Sequence, residues 1–214
     1  GFSGTPYLPT RERINVTQDI SLAMQEISNI VYYYPLVDGI GNFLKKPTVY
    51  ISDSNDRLYI TEHGIRQFLD DFKDKVYSDG TCAKLAVYCR TIETLEEQIY
   101  PLAEKIVREY GLNPSLSILK YYDKNESYSA PMDSSYEFSM LDSPLSQKKI
   151  VLLVQIGKEG WDCRSLTGVV LSQQGDCSTN MVLQTSCRCL RQVDKGMTEP
   201  AMVYLTACAI CIIS

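Results

Sequence analysis

Residues 84–89 read KLAVYC, a short apolar run typical of a strand that is buried on both faces of a parallel sheet. A long stretch with helical periodicity follows it and ends before Gly111, a residue type that commonly terminates helices. Further strands are expected at 116–122, 149–156, 167–171 and 201–205. Strands that alternate with helices predict an α/β fold with a mainly parallel sheet and right-handed crossovers.

The helices are predicted from the spacing of apolar residues. In the second half of the chain they are expected at 91–110, kinked by Pro101, and at 179–191. In the first part, helical spacing occurs over 15–30 and over 64–77. Short β-rich segments are expected at 32–37, 48–52 and 58–60.

The change of pattern divides the chain into two segments. Residues 1–80 form an N-terminal segment with helices and short strands, and residues 81–214 hold the regular alternation. Within the second segment, residues 123–146 are polar and rich in Ser, Asp and Pro. We expect this part to be an excursion from the sheet.

The charge balance argues against a generic nucleic-acid coat protein. The 214 residues include 21 Lys and Arg against 26 Asp and Glu, a net charge of −5, whereas a generic nucleic-acid coat protein is basic overall. The charge is unevenly distributed, because residues 1–147 carry −7 and residues 148–199 carry +2. The basic excess lies near Arg188 and Arg191.

The ends of the chain bear on its location. The apolar run 201–213 is shorter than the ~20 residues that cross a bilayer, and it is interrupted by Thr206. The chain begins at Gly1 with no charged-then-apolar leader. We therefore expect a cytoplasmic protein without a membrane partner. Since there is no initiating Met, we expect a piece cut from a longer protein.

Eight cysteines raise the question of a metal site. Two pairs, Cys187-x-Cys189 and Cys208-x2-Cys211, have enough thiolates for zinc. However, the first pair flanks an arginine in a helical stretch. The second lies in an apolar tail, where cysteine behaves as a small hydrophobe. We expect reduced thiols and no bound metal.

Two common catalytic arrangements are missing from the sequence. It has no G-x-x-x-x-G-K-[ST] phosphate loop. His63 is the only histidine, and its surroundings are typical of a helix cap or an exposed position. A self-contained hydrolase is therefore not expected.

Three fragments carry possible chemistry. Residues 2–6 read FSGTP, residues 156–162 read IGKEGWD after a buried strand, and residues 184–191 read QTSCRCLR. Arg188 and Arg191 are three apart, so on a helix both project from one face, where paired guanidinium groups suit a phosphate. Each fragment alone also fits a bland alternative, namely a tight turn for the first two and a solvated surface for the third.

In their order along the chain, these fragments resemble the motifs of the second RecA-like motor domain of superfamily-2 helicases and translocases. Ser3-Gly4-Thr5 resembles motif III, residues 84–91 motif IV, Glu159-Gly160-Trp161-Asp162 motif V, and residues 184–191 motif VI. The chain is most similar to the Res subunit of type III restriction enzymes. That group shares the Glu-Gly-Trp-Asp wording of motif V, YPLVDGIG at 34–41 and KPTV at 46–49.

The similarity covers nearly the whole chain. It is weakest over residues 123–146 and the last eight residues. One position departs from the family pattern, because Cys187 stands where the family usually has glycine before Arg188.

The resemblance implies roles for the residues of motif VI. In these motors ATP lies between two RecA-like domains, and the second domain supplies motifs V and VI. Arg191 is then the arginine finger, which neutralises charge on the transferred γ-phosphoryl group. Arg188 would contact the same phosphates or the motif V loop, and Gln184 would help to position the γ-phosphate.

The other motifs are implied to bind the cofactor or to couple it to DNA. Glu159, Gly160 and Asp162 belong to the nucleotide-binding loop, where Asp162 would approach the ribose hydroxyls or couple motif V to DNA. Ser3 and Thr5 would link the ATP state to domain closure. Arg90 and Thr91 would lie near the DNA backbone.

For the whole chain, the resemblance implies a RecA-like lobe with helices on both faces of its sheet. The implied function is the C-terminal motor lobe of an ATP-dependent DNA helicase or translocase. ATP and Mg²⁺ would bind the full-length protein and not this lobe alone. The implied partners are double-stranded DNA, the first lobe of the same chain and a modification methyltransferase subunit.

Two alternatives remain open at this stage. One is a non-catalytic RecA-like module that binds nucleic acid or protein, and the other is the lobe of a repair helicase. An upstream phosphate loop and an Asp-Glu box would favour a motor. A downstream nuclease cluster would favour restriction.

Overall fold

A central parallel sheet organises the chain in the computed structural model. The structure describes residues 7–15, 21–26, 36–40, 42–53, 55–123, 127–129, 131–154, 161–172, 185–196 and 199–206. The chain divides into two compact units, residues 1–39 and residues 40–214.

The unit of residues 1–39 contains a hairpin. Strand β1 (Tyr7–Asn15) pairs antiparallel with β2 (Ser21–Glu26), and α1 (Leu36–Gly39) is a single turn. The predicted helix over 15–30 is therefore wrong where the structure describes it. Inter-strand pairing overrides the helical spacing, since the apolar residues 22 and 24 also fit a two-residue period. The strand expected at 32–37 overlaps α1, and residues 32–35 lie outside the described residues.

The unit of residues 40–214 contains a sheet of six strands, all parallel, in the order β3-β8-β7-β4-β6-β5. Its strands are β3 (Pro47–Ser52), β4 (Lys84–Cys89), β5 (Ile118–Tyr121), β6 (Ile150–Val154), β7 (Leu166–Leu171) and β8 (Ala201–Thr206). The five strands predicted to form one parallel sheet do so. The predicted segment 48–52 joins them as the edge strand β3.

Helix α2 (Arg57–Phe72) connects β3 to β4. It begins early because the Asp56 carboxylate caps it, accepting hydrogen bonds from the backbone N–H groups of Leu58 at 2.8 Å and Tyr59 at 3.4 Å. The predicted strand at 58–60 is therefore wrong, since these residues form the first turns of the helix.

The helix predicted over 91–110 consists of three parts. They are α3 (Ile92–Thr94), a π-helical turn (Leu95–Ile99) and α4 (Tyr100–Glu109). The N–H of Tyr100 donates to the carbonyl of Leu95, five residues back, and Pro101 follows, which has no N–H to donate. A π-helical turn thus stands where a proline kink was predicted. Gly111 ends the segment with φ of 73°.

Strand β5 begins later than predicted. Asn113 caps α5 (Pro114–Ser117), so β5 begins at 118 and not at the predicted 116.

The polar excursion contains ordered structure. Helix α6 (Ser134–Ser139) lies within 123–146, and Leu141 after it is 2% exposed. Part of the excursion therefore packs into the core.

Two hydrophobic cores lie on opposite faces of the sheet, as the alternation of side chains along a strand requires. Along β4, Leu85 and Val87 belong to the first-face core, while Ala86 and Tyr88 belong to the second-face core. Helices α2 and α4 cover the first face. The second face is covered by α6, the loop at Cys163 and the segment around Leu190.

The compact units differ from the division made on sequence. The boundary lies between residues 39 and 40, whereas the sequence pattern placed it between 80 and 81. The reason is that β3 pairs with β8 over its whole length and α2 packs in the first-face core. Among the described residues, no helix is long and apolar enough to cross a membrane.

Candidate functional site

A short 3₁₀ helix, Cys187–Leu190, places the two arginines. Cys189 and Leu190 are buried in the second-face core, which fixes the backbone between Arg188 and Arg191. Residues 185 and 186 are helical, but the chain tightens to 3₁₀ geometry from 187. The predicted α-helix over 179–191 is therefore wrong from 187 onward, and residues 179–184 lie outside the described residues.

The helix ends where its backbone begins to hydrogen-bond to the segment before β3. The N–H of Lys45 donates to the carbonyl of Leu190 at 2.6 Å, and Arg191 forms an antiparallel bridge with Leu44. The Lys45 side chain is fully buried and pairs with Glu199 at 3.1 Å. Burial lowers the pKa of Lys45, and the Glu199 carboxylate acts in the opposite direction.

The two arginines of the segment that resembles motif VI contact two consecutive residues of the segment that resembles motif V. Arg188 Nη1 donates to the backbone carbonyl of Trp161, and Arg191 Nη1 forms an ion pair with Asp162 Oδ1. The side chains of Arg191 and Asp162 are 50% and 59% exposed. An ion pair this exposed contributes at most about 1 kcal/mol, so an incoming anion can replace Asp162 at low cost.

Trp161 is held by aromatic neighbours. Its ring stacks on Phe138, with centroids 5.1 Å apart, and Phe138 stacks on Tyr121, with centroids 3.9 Å apart. Phe138 belongs to the polar excursion, where the sequence analysis assigned no functional residue. Its pairing with Trp161 depends on tertiary contact and leaves no signal in the local sequence.

Tyr88 lies in the second-face core, close enough to Arg188 to feel its charge, and is 2% exposed. Burial raises its pKa, while the charge of Arg188 acts in the opposite direction. Among the described residues its hydroxyl has no hydrogen-bond partner. Tyr88 was not predicted to neighbour the site, although it lies in the strand that resembles motif IV.

Arg90 and Thr91 follow β4 at the carboxyl edge of the sheet, and both are exposed. The Thr91 hydroxyl oxygen accepts from the N–H of Thr94 at 3.1 Å and so caps α3. Arg57, the first residue of α2, donates to the Thr94 hydroxyl at 3.2 Å. The start of α2 and the start of α3 therefore meet at this edge.

Several predicted site residues cannot be placed. Ser3, Thr5, Glu159, Gly160 and Gln184 lie outside the described residues. Their assigned roles stay predictions. His63 lies within α2 with an exposed side chain, and its ring is parallel to that of Tyr59 at 6.4 Å. This position agrees with the surface location expected for it.

The arrangement suits a phosphate better than a metal. Within the described parts of the chain, no three His, Cys, Asp or Glu residues are grouped closely enough to hold a metal ion. Cys189 is fully buried, and burial raises its pKa to about 12, while Cys208 and Cys211 lie outside the described residues. The expectation of no zinc stays a prediction. The guanidinium groups of Arg188 and Arg191 fit an anionic phosphate.

Neither a family model nor a curated protein matches the sequence. Solved structures match its fold. The ATP-dependent Type ISP restriction-modification enzyme LlaBIII bound to DNA matches with a TM-score of 0.56 over 94% of this chain and 15% of that chain, at 15% identity. The Mss116p DEAD-box helicase domain 2 bound to an RNA duplex matches with a TM-score of 0.47 over 76% and 54%, at 12% identity. The C-terminal domain of the DEAD-box protein Dbp5 matches with a TM-score of 0.45 over 81% and 83%, at 12% identity.

The chain spans only about a seventh of the LlaBIII chain that it matches. The six strands of the sheet in residues 40–214 are all parallel and carry helices on both faces, as predicted. The fold is therefore that of a RecA-like α/β lobe.

Proposed function

We propose that this chain is the second RecA-like lobe of an ATP-dependent DNA helicase or translocase of a restriction enzyme, most similar to a type III Res subunit. In this proposal ATP and Mg²⁺ bind at a site shared with a first RecA-like lobe. Double-stranded DNA is the track. A methyltransferase subunit is a further proposed partner.

One observation carries the proposal. Two segments about 25 residues apart in sequence converge so that Arg188 and Arg191 contact Trp161 and Asp162 in turn. Those four residues belong to the motifs that resemble V and VI. Their convergence on a RecA-like lobe supports a shared phosphate site. The likeness to part of LlaBIII, an ATP-dependent enzyme bound to DNA, supports the same reading.

The geometry suggests a role for each arginine. Arg191 is half exposed and forms a weak surface ion pair with Asp162, so it can turn from Asp162 to the γ-phosphoryl group. Arg188 is partly buried and anchored to a backbone carbonyl, which suits a positioning contact to the phosphates. Asp162, once released, is free to accept a hydrogen bond from a ribose hydroxyl.

Cys187 bears on the alternative of a non-catalytic module. Its side chain is half-buried and packs against the second-face core, and burial raises the pKa of its thiol. The substitution for the family's glycine is thus accommodated toward the core. This observation favours a motor over a degenerate nucleotide site.

The test is the DNA-stimulated ATPase of the natural protein that carries this lobe. We expect Arg191→Ala to lower turnover by roughly 10³–10⁵, with nucleotide binding kept, because a finger acts on charge that develops in the transition state. Arg188→Ala should lower turnover and also weaken binding. Arg108→Ala is the matched control, since Arg108 is an exposed arginine on α4 that pairs with Glu104.

Wild-type turnover in Arg191→Ala would refute the finger and favour the non-catalytic module. The chain alone should show no ATPase above background, because the first lobe supplies the cradle for the β- and γ-phosphates. Sustained turnover by the purified chain alone would contradict the shared site.

A further inference from the structure

An aromatic stack fixes one end of the loop 161–165, which carries Trp161 and Asp162. The Tyr121 and Phe138 rings are nearly parallel, at 18°, and the Phe138 and Trp161 rings lie at 28°. Tyr121 is the last residue of β5, and Phe138 belongs to α6. Stacked aromatic pairs stabilise a fold by more than the burial of their apolar area alone. Trp161 is thereby tied through Phe138 to the sheet.

The carboxylate of Asp142 fixes the other end of the loop. Its Oδ2 accepts from the N–H of Arg164 at 2.8 Å, and its Oδ1 accepts from the N–H and hydroxyl of Ser165 at 3.0 and 2.6 Å. The Cys163 thiol donates to Oδ1 at 3.4 Å. Burial alone would raise the pKa of Asp142, but these hydrogen bonds together outweigh it and hold the pKa below its usual value.

Both anchors, Phe138 and Asp142, belong to the polar excursion. The loop that they hold contacts both arginines. The Trp161 carbonyl receives Arg188, and the Asp162 carboxylate receives Arg191. Asp162 itself is exposed, so its position follows from its neighbours in sequence. A shift of the loop would move both arginine contacts together.

We propose that Phe138 and Asp142 are positioning residues, which brace the loop 161–165 and through it align Arg188 and Arg191 for the phosphate. This inference rests on the proposed function of the two arginines. A misplacement of about 1 Å at a catalytic group can cost ~100-fold in rate. The segment 138–142 therefore does more than connect β5 to β6.

The single tryptophan of the chain makes the brace directly observable, since Trp161 is the only source of tryptophan emission. Phe138→Ala removes the stacked ring. Tyr136→Ala is the matched control, because Tyr136 lies on the same helix with its side chain 69% exposed. Phe138→Tyr retains an aromatic ring and should restore the stack.

The first measurement is made on the purified chain and needs no activity. In Phe138→Ala we expect Trp161 emission to move to longer wavelength and amide hydrogen exchange over 185–191 to speed up by about tenfold, with exchange in β4 unchanged. Phe138→Tyr and Tyr136→Ala should match the wild type. Unchanged exchange over 185–191 in Phe138→Ala would overturn the brace. Should Phe138→Ala fail to fold, Asp142→Asn provides the same test at the other anchor.

The second measurement is the ATPase of the natural protein. We expect Phe138→Ala to lower kcat by about tenfold or more, with KM for ATP within about twofold and recovery in Phe138→Tyr. If the wild type is active and Arg188→Ala lowers its turnover, while Phe138→Ala leaves the turnover unchanged, the positioning role is overturned and the proposed function is not. A wild type without ATPase would instead overturn the proposed function, and this inference with it.

Discussion

The two faces of the sheet are covered in different ways. On the first face, the 16-residue α2 and the 10-residue α4 pack apolar side chains such as Phe68 and Ile106, both fully buried. On the second face, the covering elements are the 6-residue α6, the 4-residue 3₁₀ helix and the loop 161–165. Contacts from side chains to the backbone, such as Asp142 to Ser165, hold these short elements in place.

The difference indicates how stability and function are separated. Long helices with continuous apolar packing give a face that resists change, whereas short elements held by a few hydrogen bonds can adjust by small amounts. The residues with proposed chemistry, Arg188, Arg191 and Asp162, are all attached to the second face. The first face then serves as the scaffold.

The largest expected effect on stability comes from the first face. Phe68→Ala should lower the free energy of unfolding by about 3–5 kcal/mol, because it leaves a cavity at a fully buried ring that packs on Phe72. Urea unfolding of the purified chain measures it. Tyr59→Ala, on the same helix with a side chain 58% exposed, should cost under about 1 kcal/mol. Equal losses in the two variants would contradict the assignment of α2 as the main scaffold.

A smaller effect is expected at the second face, from Asp142→Asn. It should cost about 1–3 kcal/mol at neutral pH, because the amide nitrogen that replaces Oδ2 cannot accept the hydrogen bond from the N–H of Arg164. The pKa of Asp142 is below that of the unfolded chain, so its contribution is fully present above about pH 4 and is lost as pH falls through the folded value.

The pH dependence of the free energy of unfolding tests the contribution of the Asp142 carboxylate. Unfolding measured between about pH 2 and pH 7 should show a shallower acid loss for Asp142→Asn than for the wild type. Asp123→Asn, which replaces an exposed carboxylate after β5, is measured over the same pH range as the control for the substitution itself. An identical acid profile for Asp142→Asn and the wild type would contradict the strength assigned to this anchor.

The smallest effect is expected from Arg191→Ala. Its ion pair with Asp162 is more than half exposed on average, so the free energy of unfolding should fall by no more than about 1 kcal/mol. The same preparations used for ATPase serve for the urea titration. A loss above about 2 kcal/mol would show that the pair is structural, and a loss of turnover could then no longer be assigned to the phosphate.

The sequence predicted the sheet well for a physical reason. Strands such as Ile150–Val154 are buried on both faces, so their residues form uninterrupted apolar runs that are easy to recognise in the sequence. Helix α2 was harder, because its start depends on the Asp56 cap, which local apolar spacing does not report. Strand β2 (Ser21–Glu26) was mistaken for part of a helix, because a short segment with few apolar residues fits both periods.

The site could be predicted only in part. Arg188, Arg191 and Asp162 were singled out because their segments resemble motifs V and VI, and the structure brings Arg191 and Asp162 together, while their roles stay predictions. Phe138 and Asp142 could not be found, because their roles depend on contacts with residues more than 20 positions away. Nothing in a polar stretch distinguishes the one carboxylate that fixes a loop from its solvated neighbours.

The strand order has a consequence for how the chain is built during synthesis. Strand β3 is one of the first elements of the sheet to leave the ribosome, yet its neighbour in the sheet is β8, about 150 residues later. Strand β8 also separates β3 from β7. Pairings this distant in sequence form slowly, and nascent chains with unpaired strand edges are prone to aggregate. Until residue 206 has been synthesised, the edge of β3 that pairs with β8 stays unpaired. We therefore expect a chaperone to have more time to bind β3 than any other strand of the sheet.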